Sequence, residues 1–181
     1  HQLRFGANRP NREERQRSSV YATAETVLAA CADPRVAEER AGADYTPQKL
    51  LAGPNTLYLI SPRSEQERLR TVFSALIQEL LALVEERSTA RGGPIDPYLL
   101  LLLDECANIA PFPGLAQTAS TGAGQGVQLL TVFQDLAQVK ARFGNSAATI
   151  LNNHRATLLG RGVSDVETLD YFSRLSGSVE F

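Results

Sequence analysis

A mostly parallel α/β sheet with helices on both faces is the fold class this sequence predicts, and three observations predict it. Short apolar runs alternate with helical patterns from residue 56 onward, in the order β-α-β-α-β-α-β-α. Strands joined by helical crossovers of this length pair in parallel. The Tyr98–Leu103 run holds five consecutive leucines, and such continuous apolarity suits a strand buried on both faces. The balance is globular: 181 residues, 43% hydrophobic and 21% charged. A chain of this size buries roughly two-thirds of its unfolded surface, enough for a real core.

The elements follow in order. Residues 1–17 carry five arginines against Glu13 and Glu14, with Gly6, Pro10 and no apolar periodicity. They read as a flexible arm or linker. Residues 18–54 read as a helical segment. Val20, Tyr21, Ala24, Val27 and Leu28 share one face, Pro34 ends that helix, and Gly53-Pro54 closes the segment. Residues 55–181 hold the α/β pattern. Thr56–Ile60, between Pro54 and Pro62, reads as a buried strand. Ser64 and Glu67 form a capping box for a long helix. Its stripe is Leu69, Val72, Phe73, Leu76, Ile77, Leu80, Leu83 and Val84, and Gly92-Gly93-Pro94 stops it. After the leucine strand comes a short helix over Leu115–Ser120. Gly122, Gly124 and Gly126 then read as a flexible turn before a strand over Val127–Phe133. Asp135 opens a helix that Gly144 ends, and a further turn or two lies around Ala147–Leu151. Ala156–Leu159 reads as a fourth strand. Ser164, with Glu167, caps a last helix that runs to Gly177.

Charge and composition exclude several classes. The net charge is −2, and the residues after the arm carry −5 against its +3. That excludes a nucleic-acid coat or membrane binder acting by bulk charge. Only Lys49 and Lys140 are lysines and the other basic residues are arginines, which resembles codon bias. Two cysteines, Cys31 and Cys106, are too few for a disulfide framework and suit a reducing compartment. No apolar run reaches the length of a membrane span. The chain has no methionine and opens at His1, so the expectation is a piece of a longer protein.

In open parallel sheets, ligands bind beyond the carboxyl ends of the strands. Asp104-Glu105 follows the leucine strand and Gln134 follows the next. An apolar strand ending in Asp-Glu is the second nucleotide motif of P-loop ATPases. The first carboxylate would hold a Mg²⁺ ion through water, because Mg²⁺ keeps much of its hydration shell. The second would orient and deprotonate the attacking water. Gln134 could sense the γ-phosphate or that water, since an amide donates and accepts without adding charge. The plainer alternative is that the pair marks where a buried strand reaches solvent. The phosphate-cradling pattern G-x-x-x-x-G-K-[ST] does not occur, and neither lysine follows a glycine. Cys106 reads as a small buried residue and His154 as a structural hydrogen-bonding group.

The runs Leu99–Ile109 (LLLLLDECANI) and Gly126–Lys140 (GVQLLTVFQDLAQVK), then Phe143-Gly144, resemble the cytoplasmic motor of TraG/TraD-type conjugative coupling proteins of type IV secretion. Asn55–Pro62 (NTLYLISP) and Leu169–Gly177 (LDYFSRLSG) support the likeness. The resemblance implies a RecA-like P-loop NTPase fold, here partial, in a hexameric ring that uses ATP and Mg²⁺. It implies single-stranded DNA, relaxase and relaxosome proteins, and channel components as partners, at the cytoplasmic face of the inner or plasma membrane. Residues 18–54 would end an all-α insertion. The phosphate loop and membrane anchor would lie before His1, leaving this portion soluble and inactive alone. Asp104 takes the place of the Mg²⁺-organising acid, Glu105 of the catalytic base and Gln134 of the glutamine ending the next strand. Where some relatives place an arginine reaching into the neighbouring subunit, this chain has Ala123. Loss of such a finger costs a factor on the order of 10³ in rate. Arg142, Arg155 and Arg161 are the candidates to replace it. The alternatives are a docking module for relaxosome or accessory proteins that performs no catalysis, and a related hexameric DNA-translocase motor. A sheet so truncated would expose an edge or apolar face, so self-association is expected.

Overall fold

The long helix organises the fold. The computed structural model describes residues 46–177, which belong to a unit spanning Asp44–Phe181. The arm over 1–17 and the helix over 18–32 lie outside the described residues. After a short helix, α1 (Pro47–Leu50), the chain enters α2 (Gln66–Arg91). Phe73, Ile77, Leu80 and Val84 recur at helical spacing and are buried, and Ser88 extends the stripe. Ser64 does not cap this helix. Arg63–Glu65 make a single 3₁₀ turn, Glu65 stands at the N-cap, and its carboxylate pairs with Arg68. Gly92 ends the helix at φ 71, a left-handed conformation open to glycine.

Next come β1 (Leu99–Leu103), α3 (Cys106–Ile109), α4 (Leu115–Gln125) and β2 (Val127–Thr131). The strands pair in parallel, in register from Leu99 with Val127 to Leu103 with Thr131. The expected turn at the glycine cluster is instead helix: α4 runs through Gly122 and Gly124 to Gln125. Gly122 lets α4 lie close on β2, since a Cβ there would sit 3.3 Å from that of Val127. Gly126 turns the chain at φ 90, and a Cβ there would lie 2.7 Å from the Ile95 nitrogen. That close approach lets Ile95 N–H donate to Gln125 O and Leu99 N–H to Gly126 O, at 3.0 and 2.9 Å.

Three more helices follow: α5 (Leu136–Phe143), α6 (Ala147–Asn153) and α7 (Val166–Ser176). Asp135 caps α5 as its sequence predicts, accepting from Gln138 N–H at 2.6 Å. The cap of α7 is Asp165 rather than Ser164, and it accepts from Thr168 N–H at 2.8 Å.

The parallel pairing agrees with the sequence, but the described residues contain one sheet of two strands. Residues 56–60, expected as a buried strand, and 156–159, expected as a fourth strand, are irregular chain. Tyr58, Ile60 and Leu158 are 78%, 81% and 95% exposed. An apolar run becomes a strand only where a neighbour completes its ladder, and neither run has one here. Nor, among the described residues, does the sheet carry helices on both faces. Helices cover the face of Leu101, Leu103 and Val127, which join Phe73, Ile77, Val84, Phe112, Leu115 and Ile150 in one core. On the opposite face Leu100 and Leu102 are 58% and 57% exposed, beside exposed Leu130.

Candidate nucleotide and metal site

Parallel strands open their carboxyl ends on the same side, and here the two loops stay stitched together beyond the sheet. Val132 N–H donates to Leu103 O at 2.9 Å, and Cys106 N–H donates to Val132 O at 3.1 Å. The Asp104-Glu105 turn is thereby fixed beside the loop that leads to Gln134. Asp104 is exposed and Glu105 half-buried.

Glu105 has φ 46 and is the one non-glycine residue with positive φ among the described residues. A left-handed glutamate costs on the order of 1–3 kcal/mol, and such strain persists only where surroundings over-determine it. Its N–H donates to Asp104 Oδ1 at 2.9 Å. Its carbonyl accepts from the N–H groups of Asn108 and Ile109, at 2.8 and 3.0 Å. Cys106 follows, fully buried, and burial pushes its thiol up to about 12. A thiol kept protonated is a poor nucleophile and metal ligand.

On the second loop, Gln134 N–H donates to Gln138 Oε1 at 3.1 Å. The same loop is tied to α7. Leu136 N–H donates to Thr168 Oγ1 at 3.0 Å, and that hydroxyl donates to Asp165 Oδ2 at 2.6 Å. Lys140 and Glu167 add an ion pair between α5 and α7. At the end of β2, Thr131 Oγ1 lies 3.1 Å from His154 Nε2, and His154 Nδ1 lies 2.7 Å from Ile150 O. A carbonyl only accepts, so Nδ1 carries the proton and, in the neutral ring, Thr131 donates to Nε2. His154 thus has the structural role its sequence setting suggested.

The structure brings Asp104, Glu105 and the Gln134 loop together, although no hydrogen bond joins Gln134 to either acid among the described residues. Among those residues no group of three or more His, Cys, Asp or Glu could enclose a metal. Two adjacent carboxylates fit Mg²⁺ in its usual manner, held by one or two acids with waters and phosphate oxygens completing the shell. Of the candidate arginines, Arg142 on α5 is exposed but near Arg70 of α2. Burial, then the Arg142 charge, holds the Arg70 guanidinium below its usual range. Arg155 and Arg161 are exposed on the segment after α6, and Ala123 is exposed on α4.

Sequence reasoning missed Arg70, Asn108 and Thr168. Arg70 Nε donates to Asn108 O at 3.0 Å, across 38 residues, which no local pattern announces. Asn108 follows Glu105 by three positions, a helical neighbour spacing that was readable.

The family model for type IV secretory system conjugative DNA transfer matches residues 4–180. The chain belongs to that family. It is 27% identical over 176 residues to a conjugal transfer protein TraG of Escherichia coli, covering 92% of this chain and 27% of that protein. A second TraG of Escherichia coli is 26% identical, over 93% of this chain and 28% of its own length. A TraG of Agrobacterium fabrum is 25% identical, over 88% and 24%. The chain thus spans about a quarter of the length of these relatives. No solved structure matches it. The TraG-type likeness read from residues 99–109 and 126–144 is borne out. No helix among the described residues is long and apolar enough to cross a membrane.

Proposed function

We propose that this chain is the carboxyl-terminal part of a coupling-protein motor that uses ATP to move DNA in conjugation. The observation that carries the reading is the Asp104-Glu105 turn, strained and hydrogen-bonded at the end of a parallel strand, beside the Gln134 loop. In this reading the fold is a portion of a RecA-like domain. The bare leucine face and the unpaired runs at 56–60 and 156–159 are what a sheet presents when its other strands and helices belong to the rest of a longer protein.

Asp104 would hold a Mg²⁺ ion, which would supply charge neutralisation for the phosphates. Glu105 accepts a proton from the attacking water, and Gln134 orients that water or the γ-phosphate. The complete protein works as a hexamer at the cytoplasmic face of the membrane. It passes single-stranded DNA and its relaxase to the secretion channel, and this portion alone is inactive. The second reading, a docking module for relaxosome proteins, is favoured by Ala123 standing where an arginine would act in trans. Mating assays with the complete gene separate the two. Glu105→Gln is expected to lower transfer frequency at least a hundredfold while protein levels hold. Transfer at the wild-type frequency would favour docking.

A further inference from the structure

Glu105 is bonded through its N–H, its carbonyl and its carboxylate, and one residue contributes to two of the three. Asn108 meets Glu105 twice. Its backbone N–H donates to the Glu105 carbonyl at 2.8 Å, and its side-chain Nδ2 lies 3.5 Å from Glu105 Oε2. Asn108 is itself anchored, because Arg70 Nε donates to its carbonyl at 3.0 Å from the far helix α2. Its backbone is thus bonded at both its N–H and its carbonyl, and its side-chain amide lies on the Glu105 carboxylate side.

We propose that Asn108 is a positioning residue for Glu105, its amide aiming the carboxylate while its backbone, anchored by Arg70, locks the left-handed turn. The inference rests on the reading of Glu105 as the base. The chemistry suits the task. An amide N–H stabilises one carboxylate oxygen in a chosen direction and leaves the other for water, without adding a charge or a competing proton. The 3.5 Å separation is at the long end for a hydrogen bond, and contacts of this kind tighten when substrate closes a site. The bond and the turn act together: a glutamate in the ordinary helical region would point its side chain elsewhere. A misplacement of about 1 Å in a catalytic group can cost on the order of 100-fold.

The test uses the complete protein assembled on DNA, with ATP as substrate and ADP–aluminium fluoride as transition-state mimic. Asn108→Ala keeps the backbone bonds and removes the amide. It is expected to lower kcat about tenfold with KM within twofold, and to weaken the mimic while ADP binding holds. Asn108→Asp sets a like charge against Glu105 and is expected to lower kcat further. In a Glu105→Gln background, Asn108→Ala is expected to leave affinity for the mimic unchanged, since the residue acts through Glu105. If Glu105→Gln abolishes turnover but Asn108→Ala keeps wild-type kcat, Asn108 has no positioning role and the base stands. A rise in KM in Asn108→Ala with kcat preserved overturns it equally. If Glu105→Gln itself turns over normally, Glu105 is not the base and the proposal falls with that reading.

Discussion

The two faces of the β1–β2 ribbon are built from the same residue and meet opposite surroundings. Leu101 and Leu103 lie in the core under α2, α3 and α4, whereas Leu100 and Leu102 are more than half exposed. Leucine chemistry favours burial of both faces, at about 1.5–3 kcal/mol per fully buried side chain. The inner face has that stabilisation within the described residues and the outer face does not. A residue type states what environment it suits, and only the packing shows which environment it has.

The sharpest way to break this contrast is to truncate one leucine from each face. Leu103→Ala is expected to cost about 3 kcal/mol by urea unfolding, as core leucines do. Leu102→Ala is expected to cost less than about 1 kcal/mol and to reduce self-association of the 181-residue chain, read by light scattering. Equal losses at the two positions would mean both faces are covered in solution. A smaller effect than that of Leu103→Ala is expected where α4 passes into β2. Gly126→Ala combines φ 90 with a Cβ placed against the Ile95 backbone, and a loss of about 2 kcal/mol is expected in the same assay. Smaller again is Thr168→Val, which leaves Leu136 N–H unpaired at about 1–2 kcal/mol.

That last variant also carries a pH signature. Hydrogen bonds from the Thr168 hydroxyl, then from its backbone N–H, hold the Asp165 carboxyl below its usual range. A carboxyl depressed in the folded state stabilises the fold above its unfolded value of about 3.9. That contribution is lost as pH falls through the folded value. Thr168→Val is expected to flatten the acid limb of stability against pH between those values. An unchanged limb would assign acid sensitivity to other carboxylates.

Much of the fold was legible. The leucine run, the 127–131 strand, the long helix and the Asp135 cap follow from periodicity and capping chemistry that act within a few residues. The position of Asp104-Glu105 just beyond β1 was legible too, because a strand end is a local event. What could not be read was non-local. The caps expected at Ser64 and Ser164 show this at small scale: a 3₁₀ turn over Arg63–Glu65 leads into α2 with no side-chain cap, and Asp165, one residue on from Ser164, caps α7. Gly122 was misread because glycine signals both a turn and a close helix–strand approach, and only the distance to Val127 distinguishes the two. The outer runs at 56–60 and 156–159 have strand composition, but a ladder needs a partner that no single segment encodes. Arg70 and Asn108 meet across 38 residues, beyond the reach of any local pattern.

The central claim is that the Asp104-Glu105 turn supplies the metal and water half of an ATP site. DNA-stimulated ATP hydrolysis by the complete protein, wild type beside Glu105→Gln, tests it most directly. The account predicts Mg²⁺-dependent turnover that the substitution lowers by at least about 100-fold, the usual scale for a general base, with nucleotide binding retained. Turnover unaffected by the substitution, or none in the wild type under conditions that assemble the ring, would contradict it.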